Sequence, residues 1–232
     1  MASKLGQLAL NLRDRPRWGG RRAGVGRKPG LSPRDPHRGR PPLASRFPCH
    51  VTLKARPGLP SLRDVRFVRE FERSLRAACE RGRFRVAHYA IQPDHVHLIV
   101  EASSREDLAA GMKSIGARFA RAVNRIFRLR GSVLADRYHL HILRTPREVR
   151  NALAYVLLNA RRHAAKLARR LDAATRIDPA SSGRWFDGWR TRLAARAGCD
   201  PPAVAPARTW LLRVGWRRRG LIDPCEVPGM AR

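Results

Sequence analysis

Lysine is nearly absent from this chain. It occurs at five positions (4, 28, 54, 113 and 166), against 44 arginines. Acids are scarce too: 18 Asp and Glu face 49 Lys and Arg, giving a formal charge of +31 over 232 residues. So large an imbalance disfavours a compact state unless a polyanion is the usual partner. Nucleic acid is the first candidate and an anionic membrane surface the second. Arg, Ala, Gly and Pro run high together, as GC-rich coding produces, but that bias does not account for the missing acids. Long apolar runs are absent as well. Nothing approaches the roughly 20 residues that span a bilayer, and the first residues carry no apolar stretch with a cleavage site. No membrane association and a cytoplasmic location are expected. The four cysteines (49, 79, 199 and 225) are far apart. Without a Cys-x-x-Cys pair, neither a zinc ribbon nor a dithiol redox motif is supported, and reduced thiols are expected.

Enough apolar material is present for a core: 43% of the residues are hydrophobic, which excludes a wholly disordered basic tail. Residues 1–46 are rich in Arg, Gly and Pro and read as a flexible basic arm. Order begins near Phe47. Cys49 to Leu53 reads as a strand. Val65, Phe67, Val68, Phe71, Leu75 and Ala78 recur at helical spacing between Leu62 and Arg81, and Gly82 stops that helix. Phe84–Ile91 and His95–Ala102 read as a hairpin across the Gln92-Pro93-Asp94 turn. Ser104 followed by Asp107 suggests a capped start to a long helix reaching about Leu129. Tyr138 to Leu143 is a further strand candidate. Pro146 then opens a helix whose Val149, Leu153, Val156, Leu157 and Ala160 face inward.

The order strand, helix, strand, strand, helix, strand, helix predicts an α+β fold. The expected form is a ferredoxin-like four-stranded antiparallel sheet with packed helices and an extra C-terminal helix. Residues 47–165 form the expected folded domain. Residues 166–232 form an appendage whose Trp185, Phe186, Trp189, Trp210, Leu211, Leu212 and Trp216 either cover the core or contact DNA. Leu167 to Ala173 is expected to extend the preceding helix.

Two His-x-His pairs stand out, His95/His97 and His139/His141, each in a strand pattern. Period two puts both imidazoles of a pair on one face, where they can share a metal ion. The first pair is favoured because Leu98, Ile99 and Val100 follow it and hold it rigidly, while the second lies on a wetter strand. His50 is expected near the same sheet region. Tyr155 lies in a helix with Asn159 four residues on, a spacing that places both on one face of a continuous helix. A tyrosine hydroxyl can attack a phosphodiester. Tyr138 is a rival nucleophile, but it precedes a strand and lacks an Asn partner.

The run Ile91-Gln92-Pro93-Asp94-His95-Val96-His97-Leu98-Ile99-Val100 resembles the histidine-hydrophobic-histidine signature of single-tyrosine transposases. Tyr155-Val156-Leu157-Leu158-Asn159 resembles their nucleophile helix, and His50-Val51-Thr52-Leu53 their first strand. Over residues 47–165 the chain is most similar to the REP-associated tyrosine transposases. The resemblance implies a transposase that cleaves and rejoins hairpin-bearing single-stranded DNA through a 5′-phosphotyrosine, with Tyr155 as nucleophile. It implies a divalent ion, Mg²⁺ or Mn²⁺, on His95, His97 and Asn159. Asp94 stands where relatives often have Asn. Arg118, Arg121, Arg125, Arg137, Arg144, Arg161 and Arg162 are the candidates for contact with DNA. A replication-initiator or relaxase-like nicking enzyme and a non-catalytic nucleic-acid-binding module are the alternatives. Monomer and homodimer both remain open.

Overall fold

The computed structural model describes residues 41–166, 177–191 and 201–229. Most of the expected basic arm, the predicted extension Leu167–Ala173 and Cys199 lie outside them. The described residues group as one compact unit.

Five strands and three principal helices build the core. β1 is Cys49–Lys54, α1 Val65–Arg76, β2 Glu80–Arg81, β3 Phe84–Ile91, β4 His95–Ala102, α2 Arg105–Ile126, β5 His139–Ile142 and α3 Pro146–Leu157. The strands form one antiparallel sheet in the order β2-β3-β4-β1-β5. Leaving aside the two-residue β2, this is the ferredoxin-like arrangement, and the α+β fold expected from the sequence is the one observed.

Alternation in the strands sorts side chains between two cores. Cys49, Val51 and Leu53 of β1 join Val96, Leu98 and Val100 of β4 in the first core, under Phe67 and Phe71 of α1 and Phe119 of α2. On the other face, Ile99 and Ala90 pack against Val149, Leu153, Val156 and Leu157 of α3. His95, His97, His50 and Thr52, one residue out of phase with the first core, therefore face α3.

The helix starts are chemically marked. Asp64 accepts a hydrogen bond from Arg66 N at 2.8 Å, Ser104 from Asp107 N at 3.1 Å and Thr145 from Glu148 N at 3.2 Å. Each satisfies a backbone donor that has no partner within its helix. Pro146 occupies the first turn of α3, where its missing N–H costs nothing.

The structure shortens two elements. α1 ends at Arg76 rather than Arg81, because Ala78 N bonds Leu75 O at 2.8 Å and tightens the last turn. The released Glu80 and Arg81 pair with Arg85 and Phe84 as β2. Gly82 turns this hairpin at φ +57°, a conformation glycine adopts without steric cost. β5 is His139–Ile142, shorter at both ends than expected.

The C-terminal segments cover the second face. Leu211, Leu212, Trp216, Ile222 and Phe186 pack on α3, and Trp216 is fully buried. Three polar clamps hold them. Arg63 makes a bidentate pair with Asp178. Buried Glu101 accepts the N–H groups of Arg208 and Thr209 at 2.9 and 2.8 Å. Arg150 of α3 pairs with Glu226, both contacts at 2.8 Å. Among the described residues no helix is long and apolar enough to cross a membrane.

Candidate active site

β4 starts directly from the tight turn that ends in Asp94, and its first and third residues, His95 and His97, point out of the sheet toward α3. Their Nε2 atoms are 2.9 Å apart. Each ring is held by its other nitrogen. His95 Nδ1 lies 2.7 Å from Asp94 Oδ1. His97 Nδ1 lies 3.1 Å from both His50 Nε2 and Thr52 Oγ1 on the neighbouring strand β1.

These contacts fix the chemistry of the pair. A carboxylate only accepts, so Asp94 keeps the His95 proton on Nδ1 and leaves Nε2 as a bare lone pair. The His97 proton can lie on Nε2, donating to His95, or on Nδ1, donating to Thr52 Oγ1 or His50 Nε2. In the second tautomer two lone pairs converge, which is the arrangement a cation's ligands present. Burial, followed by the nearby charges of His50, His95, His163 and Arg162, pushes the His97 pKa down to about 2. Burial and the charges of His141, His139 and His95 push that of His50 down to about 4. Both rings are thus neutral near pH 7, the form that can bind a metal.

The donor set fits a divalent cation as a partial set. Among the described residues no group of three or more His, Cys, Asp or Glu side chains is placed to hold an ion. A neutral side-chain oxygen, water or phosphate would complete such a set. Asn159 is 1% exposed, and neither of its amide atoms has a hydrogen-bond partner. A buried amide without partners is costly unless something else satisfies it.

α3 lays Tyr155 over this cluster. Its ring centroid is 5.1 Å from that of His97 and 5.8 Å from that of His50. Arg162, from the next helix α4 (Asn159–Lys166), stacks over the tyrosine with its guanidinium carbon 4.9 Å from the ring centroid. Tyr155 and Asn159 do not share one continuous helix as their spacing predicts. α3 closes at Leu158, whose N–H returns to Ala154 O, and Asn159 opens α4. The other tyrosines are directed elsewhere. Tyr89 is buried and donates to Glu72 at 2.5 Å. Tyr138 packs against the first core, on the side of the sheet away from the histidines.

The two His-x-His pairs turn out not to compete for position. β5 pairs with β1 in a register that sets His141 opposite His50 and His139 opposite Thr52. The five histidines of β1, β4 and β5 therefore share one sheet face, with His139 and His141 at its exposed edge. The sequence predicts His50 in this region but not its bond to His97, and it gives no role to Thr52. Period two in Cys-His-Val-Thr-Leu is the signal that puts both on the histidine face.

A groove of about 1050 Å³ runs from this cluster along α3. It is lined by His50, His141, Tyr155, Arg150, Arg162 and Arg190, and walled by residues 225–229. Of the predicted DNA-contacting arginines, Arg161 and Arg162 follow Tyr155 on α4. Arg144 precedes the α3 cap and is exposed, with its guanidinium carbon 6.0 Å from the Phe47 ring centroid. Arg137 is exposed before β5. Arg118, Arg121 and Arg125 lie on α2, across the sheet from Tyr155, and Arg125 is paired with Glu70 of α1. Arg150 and Arg190 also line the groove, which the sequence does not predict. They are separated by 40 positions and meet only through the fold.

Residues 59–157 match the family model described as "Transposase IS200 like". A solved structure of a REP-associated tyrosine transposase bound to a REP hairpin is similar at 17% identity and a TM-score of 0.48. That likeness covers 64% of this chain and 82% of the other. No curated protein matches the chain.

Proposed function

We propose, on the premise that the chain belongs to the IS200-like transposase family through residues 59–157, that it cleaves and rejoins single-stranded, hairpin-bearing DNA with Tyr155 as nucleophile. The observation that supports this most is the meeting of one tyrosine ring with the paired imidazoles of His95 and His97 beside a groove lined by arginines.

In this reading the Tyr155 hydroxyl oxygen bonds to the scissile phosphorus as the P–O3′ bond breaks. The phenolic proton balances the departing 3′-oxygen, which leaves a 5′-phosphotyrosine and a free 3′-hydroxyl. Reversal by that hydroxyl, or by one from another strand, restores the phosphodiester without an added energy source. Arg162 stacks on the Tyr155 ring and offers a fixed positive charge to the phosphate. Arg161, Arg144 and Arg137 contact the strand on either side, whereas the α2 arginines are reserved for DNA that reaches round the sheet. Mg²⁺ or Mn²⁺, held by His95 and His97 with Asn159 as the third candidate ligand, would neutralise charge developing on the phosphate. Asp94, Thr52 and His50 orient the two imidazoles.

The test is incubation of the purified protein with labelled hairpin DNA and Mn²⁺ or Mg²⁺. A denaturation-resistant adduct is expected, lost with EDTA and in Tyr155→Phe. An adduct that survives Tyr155→Phe but disappears in Tyr138→Phe overturns the nucleophile assignment.

A further inference from the structure

Among the described residues three large hydrophobic side chains are strongly exposed, and two of them, Trp210 (49%) and Val214 (46%), lie four residues apart on one turn. The turn joins α5, Trp210–Arg213, to the 3-10 helix Gly215–Arg219. Arginines surround them. Arg213, Arg218 and Arg219 are all exposed, and none forms an ion pair with a carboxylate among the described residues. Their neighbour Arg217 does, with Asp187 at 2.8 Å.

The turn is built to hold these groups outward. Thr209 caps α5 through Leu212 N. A Cβ on Gly215 would lie 2.6 Å from the Trp210 ring, so the bare glycine lets the indole rest against the backbone. Arg218 stacks over the same indole with its guanidinium carbon 4.9 Å from the ring centroid. A guanidinium held on an aromatic face loses less freedom when it meets a phosphate. Beneath this surface Leu211, Leu212 and Trp216 anchor the turn in the core of α3, the helix that carries Tyr155.

We infer that the Arg213–Arg219 turn is a second DNA-docking surface, which grips the sugar–phosphate backbone of the substrate away from the scissile bond. The inference rests on the reading of the chain as a DNA transposase. Charge selects the occupant. Three unpaired arginines on a protein of net charge +31 repel a second copy of the chain and attract a phosphate backbone. Trp210 and Val214 suit the apolar sugar faces between phosphates. Because the turn packs on α3, DNA held there is fixed relative to Tyr155.

The experiment is fluorescence polarisation with labelled hairpin DNA, comparing Tyr155→Phe with Tyr155→Phe carrying Arg213→Gln, Arg218→Gln and Arg219→Gln, over a range of salt. Adduct formation is assayed separately with Tyr155 intact. All three substitutions are at exposed positions, so equal melting temperatures are expected. Binding should weaken about tenfold or more, and the slope of log K against log salt should become shallower by about two to three, roughly 0.9 for each lost phosphate contact. Unchanged affinity and slope overturn the inference, whether or not the protein forms an adduct. Weakened binding by a protein that forms no adduct sustains the inference and overturns the catalytic reading. No binding of any hairpin DNA overturns both.

Discussion

At the scale of single residues, the histidine pair depends on the atoms that hold its two Nδ1 positions. The two Nε2 lone pairs can converge only if the Nδ1 atoms hold the protons, and Asp94, Thr52 and His50 determine that. Thr52→Val keeps the shape of the side chain and removes the hydroxyl from His97 Nδ1. Loss of such a partner typically costs 10–100-fold in metal affinity or activity. Thr52→Val should therefore raise the Mn²⁺ concentration needed for half-maximal adduct formation by about tenfold, with melting temperature little changed. A titration of adduct yield against Mn²⁺ checks this, and a shift in maximal yield alone would argue against an orienting role. Asp94 gives a finer test. Asp94→Asn still offers an oxygen to His95 Nδ1–H and should stay within a few-fold of the parent, whereas Asp94→Ala should behave like Thr52→Val. The same assay ranks all three.

At the scale of elements, how closely two surfaces approach decides what the chain tolerates. Gly111 sits where α2 crosses β3, and a Cβ there would lie 2.1 Å from the Phe84 ring. Gly111→Ala improves helix propensity by about 1 kcal/mol, yet the overlap forces α2 off the sheet or turns Phe84 out of its place. Overpacking of this kind typically costs 1–3 kcal/mol. A net loss of stability of about 1–2 kcal/mol is expected in urea denaturation, against the direction that helix propensity alone gives. The same scale shows what was legible beforehand. The hairpin of β3 and β4, the cap at Ser104 and the inward stripe of α3 follow from periodicity and local hydrogen bonding, which depend on neighbours in sequence. The break at Leu158 does not, because Tyr155 to Asn159 carries no glycine or proline and keeps helical spacing. β2 is two residues long and exists only through its pairing with Phe84 and Arg85. The coexistence of two His-x-His strands on one face needed the β1–β5 register, which is a long-range fact. So did the groove, since Arg150 and Arg190 come from separate segments. The C-terminal third was the least legible. Its tryptophans and leucines occupy short turns without period, and their inward faces are defined only by α3.

At the scale of the whole molecule, the second core makes the fold sensitive to acid. His88 follows an irregularity in the β3–β4 register. Its Nδ1 lies 3.3 Å from Ser182 Oγ, and its ring meets Phe186 edge to face. Burial pushes its pKa down to about 4, and the charge of Asp187 only partly offsets that. In the unfolded chain the same group titrates near 6.5. Between those two values the unfolded state binds a proton that the folded state refuses, so stability rises with pH through this window and falls as the solution is acidified. The full shift corresponds to about 3 kcal/mol at one site, an upper figure for a ring only partly shielded from water. His50 acts in the same direction, and each new imidazolium adds to a molecule already at +31. The net charge alone therefore also predicts acid weakening, but one spread over all histidines. His88→Gln separates the two causes, since it keeps a polar partner for Ser182 and cannot take up a proton. Melting temperatures measured between pH 7 and pH 4 should drop less steeply for His88→Gln than for the parent. Parallel curves would assign the acid weakness to net charge and the other histidines.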